Sequence, residues 1–190
     1  MAARALAADR ERMGRSPRIL VALAALLVVA VLPSPGSAGP RGKTAQVAQL
    51  QAALLAQINS FRAAHGLVSL KVSGGLTGAA DAHSAQMARL GFFSHNSANG
   101  QSFSQRLAQV YSPRGFRSWT VGENLVWGGP DIGAARAFRL WLSSPPHRAN
   151  LLNARWREVG LGAVHSTSAP GVYGGGAATI VTADFGARTR

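Results

Sequence analysis

The sequence predicts an α+β fold. Three observations carry this: apolar residues recur at helical spacing over about residues 44–152, the period shortens to two between Val159 and Phe185, and a turn-rich stretch divides that last part in two. Helices with one apolar face need a sheet to cover, and the later strands supply it.

Val47, Leu50, Leu54, Ile58 and Phe61 line one face of a first helix, with Thr44 as its expected N-cap and Gly66 as its stop after His65. After the Ser73-Gly74-Gly75 break, Leu76, Ala80, His83, Met87 and Leu90 form the apolar face of a second helix that ends at Gly91. A third is expected over Ser102–Tyr111, carrying Phe103, Leu107 and Val110, and a fourth over Gly133–Leu142, carrying Ala134, Ala137, Phe138 and Trp141. Ser144-Pro145 reads as an N-cap followed by Pro at the first helical position, opening a short helix through His147, Leu151 and Leu152. Val159, Leu161 and Ala163 then alternate as a strand. Thr167–Gly176 is a loop, and Ala178–Phe185 is a second strand, antiparallel to the first.

The chain divides as residues 1–38, a short polar lead over 39–50, and one domain over 51–190. Ile19–Leu32 is an unbroken apolar run of 14 residues, preceded by Arg10, Arg12, Arg15 and Arg18 and followed by Pro33, Pro35 and Gly36-Ser37-Ala38. That is the order of a secretory signal peptide, with cleavage expected after Ala38. As a helix the run covers about 21 Å of a roughly 30 Å hydrocarbon core; the alternative is an uncleaved signal anchor in the membrane. Met13 begins a more usual n-region and is an alternative start.

The 190 residues carry 20 Lys+Arg against 7 Asp+Glu, a net charge of +13, and no cysteine. The missing cysteines exclude a disulfide framework, a Cys-ligated zinc site, a thiol nucleophile and a lipidated Cys anchor. Removal of residues 1–38 takes away five Arg, one Asp and one Glu and leaves 15 basic and 5 acidic residues, a net +10. Basic charge suggests nucleic acid, but export argues against it and makes membrane headgroups, lipid or cell-wall polymers the expected partners. The basic residues are scattered singly, as biased coding composition also produces.

The five mature carboxylates are Asp81, Glu123, Asp131, Glu158 and Asp184, and none form a pair by spacing. There is no H-E-x-x-H, G-x-S-x-G, P-loop or G-x-G-x-x-G motif. Of the histidines, His83 reads as a hydrogen-bonded core residue, His65 as a helix C-terminal one and His165 as an exposed strand residue near a turn. His95 and His147 sit where the backbone turns, and Glu123 is expected in a turn over Val121-Gly122-Glu123-Asn124.

These stretches carry a resemblance. Phe92-Phe93-Ser94-His95, Gly122-Glu123-Asn124-Leu125, the run from Trp141 to Leu152 (WLSSPPHRANLL), Glu158-Val159-Gly160-Leu161-Gly162 and Asp184-Phe185-Gly186 resemble, in order, the motifs of the CAP superfamily. Its members are the cysteine-rich secretory, antigen 5 and pathogenesis-related proteins, and the chain is similar to the bacterial SCP-like extracellular branch from about Leu54 to Gly186. The resemblance implies a three-layer α-β-α sandwich with a central antiparallel sheet, and a cleft whose two His and two Glu bind a divalent metal in some members. By position His95, Glu123 and His147 match three of the four. Ser144 stands where many eukaryotic members have the second Glu, which leaves two imidazoles and one carboxylate for zinc or another divalent metal. Asn124, Ser144, Arg148 and Glu158 are secondary cleft candidates; for Glu158 an ion pair or backbone contact is expected, with Arg148 as one partner.

Three functions follow as expectations. One is a secreted module whose cleft binds a divalent metal, a lipid or a cell-wall fragment. A second is a metal-assisted hydrolase of peptide or cell-wall bonds, for which the three residues supply either a third ligand or a general base but not both. The third is a metal-free cluster that holds the loops by hydrogen bonds. Ser143 or Ser144 with His147 lacks an acid to orient the base.

Overall fold

The computed structural model describes residues 40–190, so the expected signal peptide over 1–38 lies outside the described residues. Five helices and four strands follow in the order α1 (Pro40–Ala64), β1 (Lys71–Val72), α2 (Gly74–Leu90), α3 (Phe103–Val110), β2 (Ser118–Gly128), α4 (Ala134–Ser143), α5 (Pro145–Leu151), β3 (Glu158–Ser166) and β4 (Ala178–Thr189). The strands form one sheet in the order β1-β3-β4-β2. β3, β4 and β2 are antiparallel neighbours, and the two-residue β1 adds a parallel edge beside β3.

Strand alternation divides the core into two layers. Val159, Leu161, Ala163, Val181, Ala183 and Phe185 join Leu54 and Ile58 of α1, Ala137 and Trp141 of α4 and Leu151 of α5 on one face. Leu54 and Ile58 are fully buried, and burial of a side chain of this size contributes about 1.5–3 kcal/mol. On the other face α2 and α3 pack through Leu76, Ala79, Met87, Ala88, Leu107 and Tyr111. The result is helix, sheet, helix, as the family motifs imply.

The Glu158–Gly162 motif has a packing reason. Gly160 and Gly162 point at α2, and a Cβ on either would stand 2.1 Å from a backbone carbon of Leu76 or Ala80. Only glycine lets the helix backbone lie this close to the strand.

Local signals explain most boundaries. Ser102 and Gln105 close a reciprocal capping box at the start of α3, and Gly91 ends α2 in the left-handed region at φ 75°. Pro40 is the first residue of α1, where its missing N–H costs nothing. The lead expected over 39–50 is therefore helical from Pro40, and Thr44 lies within the helix instead of capping it. β3 and β4 pair as the expected hairpin, but both run further: His165 lies opposite Thr179 and is half-buried, its Nδ1 3.0 Å from Thr179 Oγ1, where sequence alone places it in solvent.

The expected turn around Glu123 is a correction. Residues 118–128 form the 11-residue strand β2, with Glu123 at its middle. Gly122 is present for contact, not for a turn, since a Cβ there would meet Trp156 at 2.8 Å and Asn150 at 2.9 Å. β2 ends the sheet, and two of its carbonyls are taken by side chains: Asn150 Nδ2 donates to Glu123 O and Trp141 Nε1 to Leu125 O, both at 3.0 Å.

Candidate functional site

Glu123 projects from β2 toward the α2 and α3 side of the sheet, with its side chain fully shielded from solvent. His95 Nδ1 lies 2.7 Å from Glu123 Oε1, while half of the His95 side chain remains exposed. Arg106, from α3, donates through Nη2 to Glu123 Oε2. The same guanidinium reaches back through Nη1 to His95 O and Ser97 Oγ, both at 3.2 Å. One arginine thus ties the buried carboxylate to the loop that carries its histidine partner. Charge-assisted bonds of this kind are roughly twice as strong as neutral ones.

The loop is held from two further sides. His83 Nε2 donates to Ser94 O at 2.9 Å, and Tyr173 Oη donates to Phe92 O at 2.8 Å. His83 is buried as expected, and burial first, then the Arg106 charge, pushes its pKa below the usual imidazole range. A neutral ring with Nε2–H as donor agrees with both facts.

Asp184 faces Glu123 in register across β4 and is completely buried. Neither of its oxygens meets a donor among the described residues. Burial first, and then the charge and proximity of Glu123, push its pKa well above the usual carboxylate range; Arg106 opposes this only in part. A proton held on Asp184 removes the repulsion between two facing buried carboxyl groups.

His147 sits in the first turns of α5, half-buried. Asn124 Nδ2 donates to His147 O at 3.0 Å, and Asn150 Nδ2 donates to Asn124 Oδ1 at 3.0 Å, so an amide pair fastens the start of α5 to β2. The His147 pKa is lowered, by burial first and then by the His95 charge.

The secondary candidates divide. Asn124 belongs to the site as a positioning residue for the His147 backbone. Ser144 occupies the N-cap position of α5, yet its side chain makes no capping bond. Glu158 does not pair with Arg148, which is exposed; Tyr111 Oη donates to Glu158 Oε2 at 2.5 Å and Arg188 Nη2 stands 3.9 Å away. The reason is direction: Glu158 alternates to the α3 side of the sheet with Gly160, whereas Arg148 belongs to the α5 layer. Arg106 and Asp184 were not legible as site residues. Asp184 had only its motif as a signal, and Arg106 had none.

Among the described residues no three His, Asp or Glu gather as a group that could hold a metal ion. Both Glu123 oxygens are engaged, one by an imidazole and one by a guanidinium, and Ser144 adds no carboxylate. The donor set as arranged does not fit the divalent metal of the family's tetrad.

The layered fold and the buried Glu123 bonded to a half-exposed His95 together define a class of small sandwich domain with a His/Glu site. Residues 55–185 match the model of the CAP, cysteine-rich secretory protein family, and the chain belongs to that family. Among solved structures it is similar to an extracellular protein containing an SCP domain from Bacillus anthracis, with 24% identity and a TM-score of 0.62 over 82% of this chain and 45% of that one. It is also similar to an outer surface protein from Borrelia burgdorferi, with 20% identity and a TM-score of 0.58 over 74% of this chain and 94% of that one. A cysteine-rich secretory protein from Staphylococcus aureus gives 19% identity and a TM-score of 0.52 over 74% of this chain and 39% of that one. The chain thus spans less than half the length of the Bacillus and Staphylococcus chains. No curated protein matches it. No described helix is long and apolar enough to cross a membrane.

Proposed function

We propose that this chain is an exported binding module whose cleft, presenting His95 and His147, holds a polar cell-wall fragment outside the cell. The observation that supports this most is the fixed imidazole: His95 is half-exposed, its Nδ1 is bonded to the fully buried Glu123, and its loop is held by Arg106, His83 and Tyr173. A ring held this way presents its other edge to a ligand with little ordering entropy left to lose. Export follows from the basic, apolar and small-residue order of residues 1–38, with cleavage after Ala38 as the first reading and a signal anchor as the second. The extracellular and outer-surface descriptions of the structural neighbours support it.

Metal-assisted hydrolysis loses support from the engaged oxygens of Glu123. A metal-free hydrolase keeps one observation in its favour, since a histidine oriented by a buried carboxylate is half of an acid-base unit.

Co-sedimentation of the full chain with insoluble cell wall, beside the His95→Ala/His147→Ala variant, tests the binding reading. Retention reduced about tenfold in the variant, equal to about 1.4 kcal/mol, is expected. Equal retention refutes a role for the two histidines. Retention on anionic vesicles alone, falling as salt rises, assigns the partner to membrane headgroups instead. Zymographic turnover above that of the double variant assigns a hydrolase.

A further inference from the structure

The cleft contains a cation of its own. Arg106 is nine-tenths shielded, its side chain 11% exposed, and its guanidinium bridges Glu123 Oε2 on one side to His95 O and Ser97 Oγ on the other. Glu123 Oε1 is bonded to His95 Nδ1. Both oxygens of the carboxylate are therefore satisfied, and one nitrogen of the imidazole with them. A divalent ion arriving at Glu123 would have to share an oxygen already bonded to a guanidinium or an imidazole, or displace that partner. If it did so without expelling Arg106, it would meet that positive charge at short range in a shielded site, where repulsion is weakly screened.

A fixed arginine also does here what an ion could not do alone. Its planar fork joins a strand residue, Glu123, to a loop, residues 95–97, in two directions. We infer that Arg106 is the resident cation of this cleft, compensating Glu123 and fixing the His95 loop, and that the His95, Glu123 and His147 set of this chain does not load a divalent metal. This inference does not depend on which ligand the cleft takes.

Two measurements on the full chain test it. In the first, equilibrium dialysis and thermal melting with zinc are compared for the wild type and His95→Ala. The two are expected to retain the same zinc and to show the same zinc-dependent shift, and chelator is expected to leave the wild-type midpoint unchanged. Zinc held in one-to-one ratio by the wild type and lost in His95→Ala overturns the inference. In the second, urea midpoints of Arg106→Gln, Glu123→Gln and the double variant form a cycle. Charge compensation requires the double variant to lie well above the sum of the two single losses, because a neutral amide pair replaces an ion pair, whereas each single leaves a shielded charge alone. Additive losses overturn it. Should Arg106→Gln not fold, the zinc comparison still decides, since it uses only the wild type and a substitution at a half-exposed histidine.

Discussion

Glu123 and Asp184 are cross-strand partners on β2 and β4, two buried carboxyl groups on the same face of the sheet. Both ionised, they would repel each other where water cannot intervene. The pair is tolerable because Arg106 balances one charge and a proton removes the other.

Asp184→Asn keeps the shape and neutrality of the protonated acid, so it is expected to fold with little loss near neutral pH, whereas Asp184→Ala leaves Glu123 facing a void. The pH dependence has a definite sign. A carboxyl whose folded pKa lies above its unfolded value loses its proton in the unfolded chain first, so rising pH above about 4 favours unfolding, by at most about 1.4 kcal/mol per pH unit for one group. Urea unfolding of wild type and Asp184→Asn across about pH 4–7 checks this: the advantage of the variant should grow as pH rises.

The histidines act in the opposite sense. His83 and His147 both have folded pKa values below the usual imidazole range. Acidification through about pH 6.5 therefore protonates the unfolded chain first and lowers stability. His147→Gln should flatten the acid side of a melting profile; an unchanged slope would contradict the lowered pKa that burial gives His147.

Arg62 is fully buried, has no carboxylate partner among the described residues, and donates to three carbonyls: Nε to Val68 O, and Nη1 to Leu151 O and Asn153 O, at 2.9–3.0 Å. Arg62→Met leaves these acceptors dry. At about 1–3 kcal/mol for each unsatisfied group, a loss of several kcal/mol is expected in chemical denaturation.

Gly160→Ala and Gly162→Ala place a methyl against the α2 backbone and should each cost about 1–3 kcal/mol or more, as overpacking does. Gly122→Ala meets side chains instead, those of Trp156 and Asn150. Its expected signature is a smaller loss of stability with weakened ligand retention, because Asn150 helps fasten the His147 segment through Asn124.

Much of this architecture was legible because burial leaves a period. Leu54 and Ile58, or Leu76, Ala80 and His83, can reach a core only from one helical face, and the alternation of Val159, Leu161 and Ala163 requires a sheet. β2 escaped because both of its faces are covered, so Gly122, Glu123 and Asn124 lack alternation and have the composition of a turn. Each is there for a contact: Gly122 for Trp156 and Asn150, Glu123 for His95 and Arg106, Asn124 for α5. His95 and Glu123 were found through motifs, and their bond is present. The Asp184 partnership was hidden because it depends on strand register, which cannot be read from residues 61 positions apart. Arg106 was one arginine among many, distinguished only by what α3 places in front of it.

The side-chain bonds at the carbonyls of Glu123 and Leu125 bear on assembly. An exposed strand at the end of a sheet is a template on which another extended chain can pair. Here Asn150 and Trp141 have already taken the acceptors such a chain would use at the centre of β2. A partner recognised as an added strand would have to break both bonds and unseat α4 and α5, so recruitment by β-augmentation is blocked along this stretch. At the centre of β2, contacts with another molecule are left to side chains.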